Sequence, residues 1–425
     1  MFNELAKEAK WFRLDNAAKI YPVVASAKNS GIYRMGIIMK EKVDPISLQA
    51  SILECRERFP TFFVRLRRGL FWYYFEQNDK DPIVWPESPF ICQSIDIHTN
   101  NHFMFTFLFY ENRISLEVFH GIADGSGSFE FMKAVLYQYL NKIGYPQVND
   151  GTVFKLEDRP SMAELEDSYI CHYKKTKMGK NPFIRAYRIT GKRFKRRGIS
   201  LIVGKMETTQ LQKLASEHNV AFTEFLVSLM IYSILKNGNP KKLMKKPVTL
   251  TIPVNMRKYF RSQSVRNFSL FFKVSYQMGK TMPTFEAILE SVKEQFVSER
   301  TVEKLQNLLD LNVMFEKSLL IKLTPLFIKK LLFKIGYAIL GDLPITTSIS
   351  NFGLITLPET MAPHIDSFEF NLASGKKPGM AITSFSGKTT IAMNRCVADS
   401  SIEETYFSYL AQHGVEVDIH SNYWQ

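Results

Sequence analysis

The sequence predicts an α/β protein of two domains, each a mixed β-sheet covered by helices, with a channel between them. The chain has 425 residues, more than one compact core holds, and this length suits two domains of about 200 residues each. Segments with strand periodicity alternate with segments of helical periodicity in both halves, as in α/β folds. A hydrophobic content of 45% supplies enough apolar side chains for two cores.

A change of composition near the middle of the chain marks the predicted domain boundary. Between Tyr173 and Gly198 there are eleven Lys and Arg residues and no Asp or Glu. Glycine and proline interrupt this stretch, as they do in interdomain linkers. We therefore predict an N-terminal domain over residues 1–175, a basic linker over 176–200 and a C-terminal domain over 201–425. The linker is either a solvated basic loop or one border of a groove for phosphate groups.

The charge of the chain limits the partners that it can bind. A net charge of +14 and a pI of about 9.4 predict attraction to polyanions. An anionic membrane surface and a phosphorylated small molecule both fit this charge. No RNA- or DNA-binding signature accompanies it, so we expect no nucleic-acid partner.

The cysteines and histidines point to no metal or disulfide chemistry. Cys55, Cys92, Cys171 and Cys396 lie far apart and form no Cys-x-x-Cys pair. The eight histidines show no ligand spacing, so neither a zinc site nor a disulfide framework is predicted. Residues 1–21 lack the uninterrupted apolar core of a signal peptide. We therefore expect a reducing, cytoplasmic location.

A glycine-rich corner between a strand and a helix is the most informative part of the chain. The alternating strand Ile114–Phe119 leads into His120, and an amphipathic helix is predicted over Ser128–Leu140. Two glycines, Gly121 and Gly125, are expected to adopt backbone angles closed to other residues. Asp124 or Ser126 is expected to cap the helix. The strand end would hold a neutral imidazole that can take up and release a proton near neutral pH.

The corner resembles a known active-site signature. Residues 119–125, Phe-His-Gly-Ile-Ala-Asp-Gly, are similar to the His-x-x-x-Asp-Gly motif of the CoA-dependent acyltransferase superfamily. That superfamily contains chloramphenicol acetyltransferase, plant BAHD acyltransferases, condensation domains and alcohol acetyltransferases. Phe119 replaces the first histidine of the His-His form common in condensation domains. The resemblance is therefore strongest to alcohol acetyltransferase-like members and implies two chloramphenicol-acetyltransferase-like domains.

The resemblance implies a role for each site residue. His120 would be the general base, and Asp124 would turn away from the substrate to pair with an arginine. Arg257, in the Pro-Val-Asn-x-Arg segment over 253–257, is the implied partner, and Gly125 has a structural role. Ser350, or alternatively Ser348, would stabilise an oxyanion from the Ser-Asn-Phe-Gly segment over 350–353.

The resemblance also implies a reaction. An acyl group, acetyl or short-chain, would pass from acyl-CoA to an alcohol or amine, with acyl-CoA as co-substrate and no permanently bound cofactor or metal. We expect a monomer. Two alternatives remain open. One is an enzyme of the condensation or wax-ester-synthase type that uses a carrier-protein donor or a lipid acceptor. The other is a non-catalytic member of the fold.

An apolar, basic segment over residues 319–340 carries Lys322, Lys329, Lys330 and Lys334. Its lysines and a proline interrupt it too often for a bilayer span. We expect its apolar face to pack on the second domain. The alternative is peripheral contact of that face with an anionic membrane surface.

Overall fold

The strands of the described part of the chain form three sheets. The computed structural model describes residues 11–26, 29–175, 183–194, 199–372 and 377–422. Residues 176–182 and 195–198 of the predicted linker lie outside the described residues. The strands of the described chain are β1 (Trp11–Arg13), β2 (Ile32–Met39), β3 (Val64–Arg68), β4 (Tyr73–Gln77), β5 (Trp85–Pro86), β6 (Phe105–Tyr110), β7 (Arg113–Phe119), β8 (Ser200–Glu207), β9 (Val248–Asn255), β10 (Ser269–Tyr276), β11 (Thr347–Leu354), β12 (Ile365–Asn371), β13 (Gly379–Phe385), β14 (Lys388–Arg395) and β15 (Asp418–Ser421).

Helices cover these sheets. The α-helices of the described chain are α1 (Tyr21–Val24), α2 (Pro45–Glu54), α3 (Gly125–Lys142), α4 (Met162–Leu165), α5 (Ser168–Cys171), α6 (Thr208–Glu217), α7 (Phe222–Asn237), α8 (Pro240–Leu243), α9 (Phe285–Glu299), α10 (Val302–Lys317), α11 (Leu319–Leu323), α12 (Leu326–Gly336) and α13 (Ser401–Gln412). Short 3₁₀ turns occupy Ala17–Ile20, Met256–Lys258 and Ala362–His364, and a π turn occupies Tyr337–Asp342.

Both large sheets are mixed. The first has the strand order β12-β2-β7-β6-β5, and the second has the order β10-β9-β11-β13-β14-β8-β15. In the first sheet β5 runs parallel to β6, and in the second β11 runs parallel to both β9 and β13. A small antiparallel sheet, β1-β4-β3, completes the set.

Local sequence rules account for the elements around the site. Asp44 caps α2 through its side chain, and Pro45 stands at the first helical position, the usual start signal of a helix. The hairpin of β6 and β7 pairs Tyr110 with Arg113 and leaves a two-residue turn. The helix after the corner begins at Gly125 and ends at Lys142, so it is longer than the predicted Ser128–Leu140. Asp124 is its cap.

One strand of the second half joins the first sheet. β12 pairs antiparallel with β2, with Phe368 opposite Ile37. The Phe368 ring also lies 5.0 Å from that of Phe385, on β13 of the second sheet. The division of the chain at 175 and 200 stays a prediction, and this strand crosses it.

The buried apolar side chains form two hydrophobic cores. The first core is built around buried side chains such as Leu116 and Phe131, and the second around side chains such as Phe225 and Leu250. Mixed sheets, covering helices and two cores confirm the predicted α/β class. The channel between the halves stays a prediction.

Close contact between the two halves gives a stability prediction. A Cβ at Gly127, in the first turn of α3, would lie 1.9 Å from the backbone oxygen of Val265. Gly127→Ala therefore forces the two backbones apart, and we expect the free energy of unfolding to fall by about 1–3 kcal/mol or more. Urea denaturation measures the change. Gly279→Ala is the matched control, because a Cβ there meets no atom within 4 Å. A loss of stability no larger than that of the control would contradict the contact.

Candidate active site

His120 directly follows β7, where the first sheet leads into the corner before α3. Its backbone N–H donates to the carbonyl oxygen of Gly31 at 2.9 Å. This bond continues the pairing of β7 with β2, in which Phe119 lies opposite Ile32. The side chain is half-buried. A rigid strand end therefore presents the imidazole.

Asp15 acts as a hydrogen-bond acceptor beneath the site. Its carboxylate accepts from the backbone N–H groups of Ala18, at 2.8 Å, and Asn267, at 3.4 Å. The guanidinium of Arg266 lies 3.7 Å away. Burial raises the pKa of Asp15 above its usual value, because the carboxylate loses its hydration there. The surrounding donors nevertheless require the carboxylate to accept.

Asn267 determines which nitrogen of His120 carries the proton. Its Nδ2 donates to Oδ2 of Asp15 at 3.1 Å, so its Oδ1 faces the imidazole at 3.0 Å from Nδ1. An amide oxygen accepts only, and Nδ1 must therefore donate to it. The hydrogen-bond network thus assigns the Nδ1–H tautomer and leaves Nε2 with an available lone pair.

Two tyrosine rings hold the imidazole from the sides. The ring of Tyr21 stacks on it, with centroids 4.4 Å apart and an interplanar angle of 11°. The ring of Tyr33 meets it edge-on at 5.0 Å. The Tyr33 hydroxyl donates to the Ala123 carbonyl at 2.9 Å and contacts the Ser128 hydroxyl at 2.7 Å. Burial raises the pKa of both phenols, so they stay protonated at neutral pH.

The surroundings lower the pKa of His120 below its ordinary value of 6.5. Burial is the main cause, because an imidazolium loses hydration between the tyrosine rings. Hydrogen bonds with its own backbone and with Asn267, and the charge of Asp124, act in the opposite direction without outweighing burial. At neutral pH the imidazole is therefore uncharged and able to accept a proton.

The carboxylate of Asp124 is fully engaged by donors. Oδ1 accepts from the backbone N–H of Gly127 at 3.0 Å, which caps α3. Oδ2 accepts from the backbone N–H of Phe268 at 2.8 Å and from Nη1 of Arg257 at 2.8 Å. A buried carboxylate with three donors organises the backbone around it, as expected for a structural role.

The structure brings Arg257 to Asp124, the pairing that the resemblance implied. The guanidinium also donates to the backbone carbonyls of Ser264, at 2.7 Å, and Arg266, at 2.6 Å. It therefore ties the start of α3 to the loop over 256–268, which carries Asn267. We refer to the ion pair of Asp124 and Arg257 as the clamp.

The backbone angles at the glycines of the corner are ordinary, so the relevant question is how much room a Cβ would have. Gly121 and Gly125 are absent from the glycines with positive φ, so the prediction that both adopt backbone angles closed to other residues is wrong. A Cβ at Gly121 would lie 2.5 Å from the Phe119 ring, and one at Gly125 would lie 3.4 Å from the Phe352 ring. Close packing against the Phe119 ring therefore favours glycine at 121, whereas a Cβ at 125 would make an ordinary van der Waals contact.

Of the two predicted oxyanion donors, one is already engaged. Ser348 and Ser350 lie on β11. The Ser348 hydroxyl is hydrogen-bonded to that of Thr251 at 2.6 Å. Among the residues that the structure describes, the half-buried Ser350 hydroxyl has no hydrogen-bond partner. Phe352, on the same strand, contacts the corner at Gly125.

Sequence reasoning did not identify Asn267, Asp15 or Tyr21 as site residues. The sequence marks Asn267 only as part of an Asn-Phe pair directly before the strand β10. Asp15 and Tyr21 lie in an entry segment without a motif. They reach His120 only through the tertiary fold.

Loss of the clamp should destabilise the whole fold. Asp124→Ala leaves the guanidinium of Arg257, which is 14% exposed, without its anion. We expect the free energy of unfolding to fall by about 3–5 kcal/mol, the usual cost of an uncompensated buried charge. Urea denaturation followed by circular dichroism measures the loss.

The matched control for this prediction is an exposed ion pair. Glu217→Ala removes the partner of Lys213, 4.0 Å away on the surface of α6, and should cost at most about 0.5 kcal/mol. Equal losses in Asp124→Ala and Glu217→Ala would show that the clamp contributes no more than a surface pair.

Comparison with known proteins places this geometry in a known fold. No protein-family model matches the chain, and no curated protein matches it in sequence. TRI101 of Fusarium sporotrichioides, solved with coenzyme A and T-2, is similar with a TM-score of 0.64 at 10% identity, over 96% of this chain and 99% of that protein. The trichothecene 15-O-acetyltransferase TRI3 of the same organism has a TM-score of 0.58 at 11% identity, over 95% and 94%.

A condensation domain shows the same likeness. The starter condensation domain of rhizomide synthetase, solved as a variant with C8-CoA, has a TM-score of 0.58 at 9% identity, over 96% of both chains. Identities this low concern the fold alone. The chain has the two-domain fold shared by these acetyltransferases and this condensation domain, which is the fold that the resemblance of the His120 segment implied.

Proposed function

We propose that the protein transfers an acyl group from acyl-CoA to an alcohol or amine, with His120 as the general base. The observation that carries this proposal is the hydrogen bond between Nδ1 of His120 and Oδ1 of Asn267, from which the tautomer of His120 is assigned. Its Nδ1 proton is held by Asn267 at 3.0 Å, and Nε2 is left to accept a proton. The lowered pKa keeps the ring neutral, and therefore basic, at neutral pH.

The proposed step is direct transfer without an acyl-enzyme intermediate. Nε2 of His120 takes the proton of the acceptor hydroxyl or amine while the acceptor oxygen or nitrogen attacks the thioester carbonyl. The bond from the carbonyl carbon to sulfur then breaks, and the imidazolium returns the proton to the departing thiolate. The two tyrosine rings hold the imidazole in one orientation during both transfers.

The oxyanion of the tetrahedral intermediate requires a hydrogen-bond donor. Ser350 is the better candidate of the two serines, because the Ser348 hydroxyl is engaged by Thr251 at 2.6 Å. A donor aimed at developing charge is worth about 3–4 kcal/mol of transition-state stabilisation.

The solved structures of the same fold support this choice of substrates. TRI101 and the rhizomide synthetase domain were solved with coenzyme A or an acyl-CoA, and TRI3 is an O-acetyltransferase. These support acyl-CoA as donor and an alcohol as acceptor, with acetyl or a short chain as the acyl group. The monomeric state and the cytoplasmic location remain predictions.

A carrier-protein donor is the second candidate. The likeness to a condensation domain supports it, since such domains share this fold. Phe119, in place of the first histidine of the condensation-domain motif, counts against it.

Acceptor-dependent release of thiol from acyl-CoA tests the proposal. Acetyl-CoA and longer acyl-CoAs are offered with a panel of alcohols and amines. We expect release with at least one acceptor and a fall of about a hundredfold or more in His120→Ala, because the general base is lost. His413→Ala, which removes an exposed histidine after α13, is the control and should keep full activity. Release that is equal in His120→Ala and the parent would contradict the mechanism.

The pH dependence of kcat/KM tests the state of the imidazole. The neutral form is the active one, so the rate is full above the pKa of His120 and is lost as the pH falls through it. Because burial lowers this pKa, the midpoint of the acid limb should lie below 6.5. Tyr21→Ala uncovers one face of the ring and should move the midpoint up towards 6.5. A parent midpoint above 6.5 would show that the imidazole is not buried as described.

A further inference from the structure

The segment over 319–340 turns its apolar side chains outward. This corrects the expectation that its apolar face packs on the second domain. The two helices α11 and α12 and the π turn after them expose large apolar side chains: Leu319, Leu320, Leu323, Phe327, Ile328, Leu331, Leu332, Ile335, Tyr337, Ile339 and Leu340. Surface helices of soluble proteins normally show the opposite arrangement, with the apolar stripe inward.

A lysine occupies the inner side of α12. Lys329 is only 2% exposed, and its Nζ lies 3.7 Å from the centroid of the Trp72 ring. Nζ also donates to the backbone oxygen of Phe71 at 3.0 Å. These contacts fix the rotation of the helix, so the outward position of Phe327 and Leu331 is built into the fold.

The hairpin of β3 and β4 extends the exposed apolar area. The backbone N–H of Leu326 donates to the oxygen of Leu70 at 2.9 Å, and the rings of Trp72 and Phe333 lie 6.1 Å apart. Leu70 and Phe71, at the turn, are themselves exposed. We call the exposed side chains of 319–340, Leu70 and Phe71 together the apolar surface. Contiguous exposed patches of this kind mark interaction sites.

Basic residues border the apolar surface, and the segment itself carries no acidic residue. Between Ser318 and Gly341 the chain has no Asp or Glu. Lys322 and Lys334 are exposed, and Arg68 is exposed on the adjoining hairpin. Like charges on both copies would oppose pairing of this surface with itself, whereas an anionic partner gains from them.

We propose that the apolar surface docks on an anionic phospholipid bilayer, with its apolar side chains at the boundary of headgroups and acyl chains and its lysines towards the lipid phosphates. This is the arrangement of interfacial helices that combine buried apolar area with attraction to anionic lipid. The break at Thr324–Pro325 between α11 and α12 lays two short helices along one surface. In the described chain no single helix is long and apolar enough to cross a bilayer.

The apolar surface adjoins the site around His120. α12 packs against α1, and α1 begins at Tyr21, whose ring stacks on His120. If the proposed acyl transfer holds, docking brings the site beside the bilayer and favours acceptors that dissolve in lipid. Docking itself does not depend on that activity.

Flotation with lipid vesicles, without any acyl-CoA, tests the docking. The full chain is mixed with vesicles of phosphatidylcholine alone or of phosphatidylcholine with phosphatidylserine. We expect the protein to float with the phosphatidylserine vesicles and to be released by high salt, because exposed charges are screened. Because no substrate is present, failure of docking is distinguishable from failure of the proposed function.

Two variants and one control locate the contact. Phe327→Glu with Leu331→Glu changes two side chains that are 65% and 62% exposed and should reduce the bound fraction about tenfold or more. Lys322→Gln with Lys334→Gln should reduce it roughly tenfold by lowering the attraction to phosphates. Val297→Glu, which changes an exposed apolar side chain on α9, is the matched control and should float like the parent.

Three results would overturn the proposal. The first is no flotation of the parent with either vesicle, and the second is equal flotation with phosphatidylcholine alone. The third is self-association of the parent, measured by light scattering, that the Phe327→Glu, Leu331→Glu variant abolishes, because the surface would then join two copies of this chain. Unchanged thermal unfolding of each variant confirms that its fold is intact.

Discussion

The buried ion pair between Asp124 and Arg257 is the interaction on which the site depends. Asp124 is the N-cap of α3 in the first half, and Arg257 lies near the beginning of the loop over 256–268 in the second half. A buried charge without a partner is costly, so replacing either residue alone would destabilise the fold. The guanidinium also binds the carbonyl oxygens of that loop, and the loop delivers Asn267 to the ring of His120. The geometry of the candidate site is therefore assembled by contact between the two halves.

The sequence revealed the parts of the site that follow local rules. A strand, a histidine, a tight corner and a capped helix are specified by neighbouring residues, so the position of His120 and the cap at Asp124 were predictable. Asn267 and Asp15 were not, because they lie 147 and 252 residues from their partners in the chain. The segment over 319–340 shows a related limit. Periodicity identifies an apolar face, but the contacts of Lys329 decide which way it turns.

Burial and hydrogen bonding act on His120 in opposite directions, and their balance suits a base. The aromatic walls disfavour the imidazolium, while Asn267 and Asp124 favour it. The same segment that supplies the Tyr21 wall packs against α12 beneath the apolar surface. Helix α1 therefore contacts both the imidazole, through Tyr21, and the helix α12 that carries part of the surface proposed to bind lipid.

The tautomer of His120 is the central claim, and ¹⁵N NMR of the histidine-labelled protein tests it most directly. His120→Gln identifies the signal of this residue by its disappearance. Above the pKa of the ring, the account predicts a protonated Nδ1 and an unprotonated Nε2, because Asn267 presents an acceptor oxygen at 3.0 Å. In Asn267→Leu the preference for this tautomer should weaken. A protonated Nε2 in the parent would contradict the account, since that nitrogen could then accept no proton.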